Sequence, residues 1–63
     1  MKLKEKLNLR HEPAVFHNRE LAFYNLEHCV KPHIVMLGDY PQYWVVCPAD
    51  GAKLFKLGYE YAV

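Results

Sequence analysis

The sequence lacks the features that mark membrane and exported proteins. It has no apolar run near the roughly 18 residues that a bilayer-spanning helix needs, and its start, MKLKEKLNLR, has no hydrophobic stretch of the kind found in secretory signals. Cysteine is scarce, with Cys29 and Cys47 alone. Without an export signal, these two are expected to be reduced thiols. We therefore predict a cytoplasmic protein that makes no membrane contact.

An excess of charge of either sign is also missing. Eight Lys and Arg against seven Asp and Glu leave a formal charge of +1, whereas nucleic-acid binders carry a concentrated basic surface. The basic residues of the first ten positions are Lys2, Lys4, Lys6 and Arg10, against Glu5 alone. A solvated terminus explains them most simply, so nucleic acid is an unfavoured partner. An accessory nucleic-acid-binding role through this basic N-terminus stays open as an alternative.

Catalytic and cofactor-binding motifs are absent as well. Gly38-Asp39 lacks the repeated glycines of a phosphate-binding loop. The acid–base pairs His11-Glu12 and Glu27-His28 are only neighbours in sequence, and general acid–base catalysis needs groups that converge on a cleft. A chain of 63 residues leaves little room for such a cleft. We predict no enzymatic activity and no cofactor.

The size of the chain predicts one small domain. A domain of about 60 residues buries only roughly 60% of the surface that its unfolded chain exposes, so a disulfide, a metal or a partner subunit often adds stability. Hydrophobic residues make up 52% of the sequence, which is typical of a folded chain. Residues 1–12 are expected to form a flexible or short helical segment, and residues 13–63 a single small α+β domain.

A first helix is predicted over residues 18–29. Asn18 is a good N-cap, and one helical face would carry Ala22, Leu26, Cys29 and Val30. Because aromatic residues favour strands, a strand through residues 21–26 is the competing interpretation.

A β-hairpin is predicted next, with strands at 33–37 and 43–47 joined by the loop 38–42. In this register Leu37 lies opposite Tyr43, Val35 opposite Val45, and His33 opposite Cys47. Both faces of the hairpin are apolar, which is typical of a sheet that is covered on both sides.

A short second helix is predicted over residues 49–57, since Pro48 suits a helix start and Gly58 a helix end. It would bury Leu54, Phe55 and Leu57. Asp50-Gly51 can also form a hairpin turn, so a strand over 53–57 is the alternative. A final edge strand is expected at 59–62. Together these elements predict an α+β fold in which a helix, a hairpin, a short helix and an edge strand follow one another along the chain.

One group of residues could hold a metal: His28, Cys29, His33 and Cys47. Thiolates and imidazoles are zinc ligands, but their spacing matches no common zinc motif. The resulting alternative is a metal-stapled, zinc-type module that uses Cys29, His33 and Cys47, with His28 as a further candidate.

The doubly apolar hairpin suggests the function, because few residues remain to cover it. We predict a small interaction or structural protein without enzymatic activity, which self-associates as a homodimer or joins a larger assembly. Aromatic side chains anchor many interfaces. The predicted interface residues are Ile34, Met36, Tyr40, Tyr43 and Trp44.

Overall fold

The fold is a four-stranded antiparallel sheet with two longer helices packed on it. The computed structural model describes residues 2–62. Its elements are α1 (Leu3–Lys6), β1 (Ala14–Phe16), α2 (Arg19–Glu27), β2 (Ile34–Leu37), β3 (Tyr43–Val46), α3 (Pro48–Lys56) and β4 (Glu60–Tyr61). The strand order is β1-β3-β2-β4. The predicted α+β fold is confirmed, and the strand interpretations of 21–26 and 53–57 are wrong. None of the helices in residues 2–62 has the length and apolar character needed to cross a bilayer.

The hairpin of β2 and β3 has the predicted register. Two expected pairs form, Val35 with Val45 and Leu37 with Tyr43. The ladder ends at the pair of Ile34 and Val46, so His33 and Cys47 lie one residue beyond the strands. The remaining strands close the two sides of this hairpin, since β1 pairs with β3 and β4 pairs with β2.

Each face of the sheet is covered by one helix, and each helix completes an apolar cluster. The cluster on the α2 face consists of Ala22, Val35 and Val45. The cluster on the α3 face consists of Leu9, Met36, Trp44, Val46 and Leu54. Side chains alternate across a strand, so the two apolar faces of the hairpin meet different helices. The expected two-sided cover therefore comes from the chain itself.

The ends of the helices follow from local chemistry. The Asn18 carboxamide oxygen accepts hydrogen bonds from the backbone N–H groups of Glu20 (2.7 Å) and Leu21 (3.3 Å), which confirms it as the N-cap of α2. Pro48 occupies the first turn of α3, where its missing N–H costs nothing. Gly58 follows α3 with a φ of 104°, a conformation that side chains disfavour.

Phe55 and Leu57, which were predicted to be buried, are exposed, and so is Val30, which was placed on the apolar face of the first helix. Val30 is fully exposed because α2 ends at Glu27, before the helical face could reach residue 30. Phe55 and Leu57 are 54% and 56% exposed. Leu54 faces the sheet, and Phe55 lies one position further round the helix, where its ring stacks on Tyr61. Leu57 comes after the last helical residue and turns away from the core.

The N-terminal segment folds back onto the α3 face. Both oxygens of the Glu12 carboxylate accept backbone N–H groups at the start of α1, from Leu3 at 3.2 Å and from Lys4 at 3.0 Å. Asn8 has a φ of 54°, which Asn tolerates better than most residues. The turn that it makes brings Leu9 into the apolar cluster, where it is 6% exposed.

A buried carboxylate ties this segment to α3. Asp50 is 2% exposed and is the one buried polar or charged side chain among the described residues. It accepts the backbone N–H groups of Arg10 (2.9 Å) and His11 (3.1 Å). Burial acts to raise the pKa of Asp50, but these two bonds, a further one from the Cys47 side chain and the charge of His11 outweigh it and lower that pKa. The ionised carboxylate is thus the form that the fold stabilises.

Replacing Asp50 by Asn should destabilise the protein by about 1–3 kcal/mol at neutral pH, because the buried donors lose a charged acceptor. A lowered folded-state pKa contributes stability that is fully present above about pH 5 and is lost as the pH falls through 4 and below. The advantage of the wild type over Asp50→Asn should therefore be constant from neutral pH down to about pH 5 and shrink as the pH falls below about 4. Urea denaturation at several pH values measures this difference.

Glu12→Gln is the matched control, since Glu12 also accepts two backbone N–H groups but is exposed to water. It should cost less than Asp50→Asn. Equal stability of wild type and Asp50→Asn at neutral pH would contradict the role of the carboxylate.

Gly51 lies where α3 touches β2. In an ordinary helix, replacing Gly by Ala raises the free energy of unfolding by about 1 kcal/mol. Here a Cβ would overlap the Cδ1 atom of Ile34 and lie 3.0 Å from its Cγ1. We expect Gly51→Ala to lower the free energy of unfolding by about 1 kcal/mol, and the same change in an Ile34→Val background to be neutral or stabilising. A double-mutant cycle in urea measures the coupling, and additive effects would refute the contact.

Candidate interaction surface at the hairpin tip

The loop between β2 and β3 is held in one shape by its own hydrogen bonds. The Gly38 N–H donates to the Gln42 carbonyl oxygen at 3.0 Å, and the Gln42 N–H donates to the Asp39 carbonyl oxygen at 2.8 Å. The peptide bond between Tyr40 and Pro41 is cis. The two hydrogen bonds close the loop, and Tyr40 projects from its end.

Trp44 supports this loop from the α3 face of the sheet. Its indole Nε1–H donates to the Gln42 side-chain oxygen at 2.9 Å, and its ring centroid lies 5.1 Å from that of Tyr59. Gly38 passes so close that a Cβ there would overlap the indole ring. The loop therefore requires glycine at position 38 because of space.

A second bond joins the loop to the segment after α3. The Tyr59 hydroxyl donates to the Asp39 carboxylate at 3.3 Å. Burial and the negative charge of Asp39, together with this hydrogen bond, raise the pKa of Tyr59. The neutral phenol is consequently favoured as the donor that holds the loop.

The loop carries an exposed aromatic residue beside a pocket. Tyr40 is 97% exposed, and a pocket of about 360 Å³ opens next to it. The pocket is lined by His17, Leu37, Gly38, Tyr40, Pro41, Gln42 and Tyr43. We call this set the tip surface. Most of its members are apolar or aromatic, and they can bind a side chain of similar character.

The predicted interface residues divide between this surface and the core. Tyr40 and Tyr43 belong to the tip surface. Met36 and Trp44 are completely buried, and Ile34 packs against the same cluster. These three are corrected from interface to core, because α3 covers the face of the hairpin on which they lie.

The predicted metal-binding residues do not form a metal site. His33 and Cys47 line one cavity, whereas Cys29 packs on the α2 cluster and its thiol donates to the Asn25 carbonyl oxygen. The Nδ1 atom of His28 is hydrogen-bonded to the Tyr24 carbonyl oxygen. Throughout residues 2–62, no group of three or more His, Cys, Asp or Glu could hold a metal ion. The four candidate ligands are therefore not brought together, and the zinc-type alternative gains no support from the structure.

Two exposed histidines, His11 and His17, each border a cavity. His17 reaches the tip surface because it directly follows β1, whose last residue, Phe16, pairs with Tyr43. His11 borders the cavity that contains His33. Neither position carries a local signal, since both depend on which strands pair and on how the N-terminal segment docks.

The basic N-terminus presents its charges to solvent. Lys2, Lys4 and Lys6 are exposed on and next to α1. Glu12, which caps the same helix, places a carboxylate beside them. The nucleic-acid alternative stays a prediction.

Comparison with known proteins supplies no family or relative for this chain. No protein-family model matches it, no curated protein matches it, and no solved structure matches it. We therefore base the functional proposal on the chain's own surface.

Proposed function

We propose that this chain is a small interaction protein without enzymatic activity, and that it pairs with a second copy of itself through the tip surface. The observation that carries the proposal is Tyr40, whose side chain is 97% exposed beside an apolar pocket. Tyrosine is enriched at interface centres because it combines a large apolar area with a polar end.

The tip surface is suited to pairing with itself. A two-fold interface uses the same patch on both partners, so a projection on one copy must meet a recess on the other. Tyr40 is the projection, and the pocket of about 360 Å³ is the recess. Because both belong to one loop, a two-fold arrangement can place each Tyr40 ring in the pocket of the other copy.

Pairing of this kind would add stability to a chain that already covers both faces of its own hairpin. The two helices and the edge strands supply the cover that the hairpin needs, so the exposed tip rather than an uncovered core supports the proposal.

His17 is the one imidazole that borders the pocket, and the other titratable side chains of its lining are two tyrosines. That lining suits contact better than acid–base chemistry. A cytoplasmic location belongs to the same proposal and is supported by two free thiols, Cys29 and Cys47.

Replacing Tyr40 by Ser should weaken self-association. Truncation of a central aromatic anchor costs about 2 kcal/mol or more, which corresponds to a roughly thirtyfold higher dissociation constant. Sedimentation equilibrium over a range of protein concentrations measures this constant. Because Tyr40 makes almost no contact within its own chain, the variant should keep the circular dichroism spectrum and the melting temperature of the wild type.

Tyr24→Ser is the matched control. Tyr24 is 62% exposed on α2 and does not line the pocket, so its loss should leave the dissociation constant unchanged. A wild type that sediments as a monomer at every concentration would rule out the homodimer. Equal weakening by both substitutions would show that the tip surface is not the interface.

A further inference from the structure

A second cavity lies at the end of the hairpin opposite the tip. Its volume is about 450 Å³, and it is lined by His11, Lys31, Pro32, His33, Cys47 and Pro48. These residues come from three separate segments, which are the N-terminal segment, the turn before β2 and the junction of β3 with α3. The cavity forms only because the docked N-terminal segment brings His11 next to the other two segments.

The side chains that carry charge around this cavity are basic. Lys31 contributes an ammonium group, and His11 and His33 contribute imidazoles. The nearby carboxylate is Asp50, which already accepts two backbone N–H groups and a bond from Cys47. The donors that surround its oxygens are therefore groups of the fold itself. Pro48, the residue of α3 that lines the cavity, has no N–H to offer.

His33 has a defined proton arrangement. Its Nδ1 atom lies 2.8 Å from the Lys31 carbonyl oxygen. A carbonyl oxygen can only accept, so Nδ1 carries the hydrogen. Neutral His33 then has a lone pair on Nε2, whereas protonated His33 has an N–H donor there. Protonation converts the ring nitrogen available to a ligand from an acceptor into a charged donor.

We propose that this cavity binds a small oxyanion when His33 is protonated. Lys31 supplies a constant positive charge, and protonated His33 supplies a charged N–H donor at Nε2. His11, from the N-terminal segment, supplies a further positive charge when it is protonated. Cys47 and Asp50, from the side of α3, complete the titratable surroundings. Because an anion binds protonated imidazoles more tightly than neutral ones, the affinity should rise as the pH falls.

The test is an NMR titration of the isotopically labelled full chain with sulfate, whose charge stays constant between about pH 7.5 and pH 5.5. Affinity should rise about tenfold over this range, within the limit of tenfold per pH unit set by one coupled proton. His33→Gln should reduce the rise, and what remains is the contribution of His11. Lys31→Gln should weaken binding at both pH values.

His28→Gln is the matched control, because His28 makes the same kind of contact, Nδ1 to a backbone carbonyl at 2.8 Å, but does not line the cavity. His28→Gln should bind sulfate with the same affinity and the same pH dependence as the wild type. The dispersion of the amide spectrum confirms that each variant is folded. Acetate forms a second arm, and the same pH pattern with acetate would assign the site to carboxylates as well as to sulfate-like anions.

Two results would overturn the proposal. One is a sulfate affinity that does not change with pH in the wild type, and the other is an identical pH dependence in His33→Gln. Neither result bears on the tip surface, which shares no residue with this cavity. Failure of this inference is thus distinct from failure of the proposed self-association.

Discussion

The hydrogen bonds of the Asp50 carboxylate are the constraint on which the rest of the structure depends. They join the first turn of α3 to Arg10 and His11, residues some forty positions away in the sequence. Leu9, immediately before them, is thereby kept in the cluster that buries Trp44. Trp44 in turn supports the hairpin tip through Gln42. One buried charge therefore positions the N-terminal segment directly and contributes to the shape of both cavities.

Much of the fold follows from local patterns in the sequence. The position of the loop at 38–42 set the pairing of Val35 with Val45, and Asn18 and Gly58 marked helix ends by their own chemistry. The exposure of Phe55 could not be predicted in the same way. A short helix with several apolar residues permits more than one face to meet the sheet, and in the structure Gly51 and Leu54 face it, with Gly51 leaving room for Ile34.

The candidate sites were less predictable, because each depends on contacts between distant segments. Both faces of the hairpin are apolar, so the sequence could not show that Trp44 belongs to the core while Tyr40 projects into solvent. The aromatic residues of the hairpin loop did indicate the candidate interface at the tip. The approach of His11 to His33 had no sequence signal, since it follows from the backbone bonds to Asp50. Residue types suggested candidate chemistry, and tertiary contacts decided which residues meet.

The strand order has a consequence for how the chain assembles. The two central strands are joined by a short loop, so they can pair at a small entropic cost. The outer strands come from opposite ends of the described chain, and β1 reaches β3 only by closing a loop that contains α2 and β2. Contacts between distant residues form more slowly than local ones. During synthesis, β1 would leave the ribosome well before β3, and it must wait unpaired until the hairpin that receives it has formed.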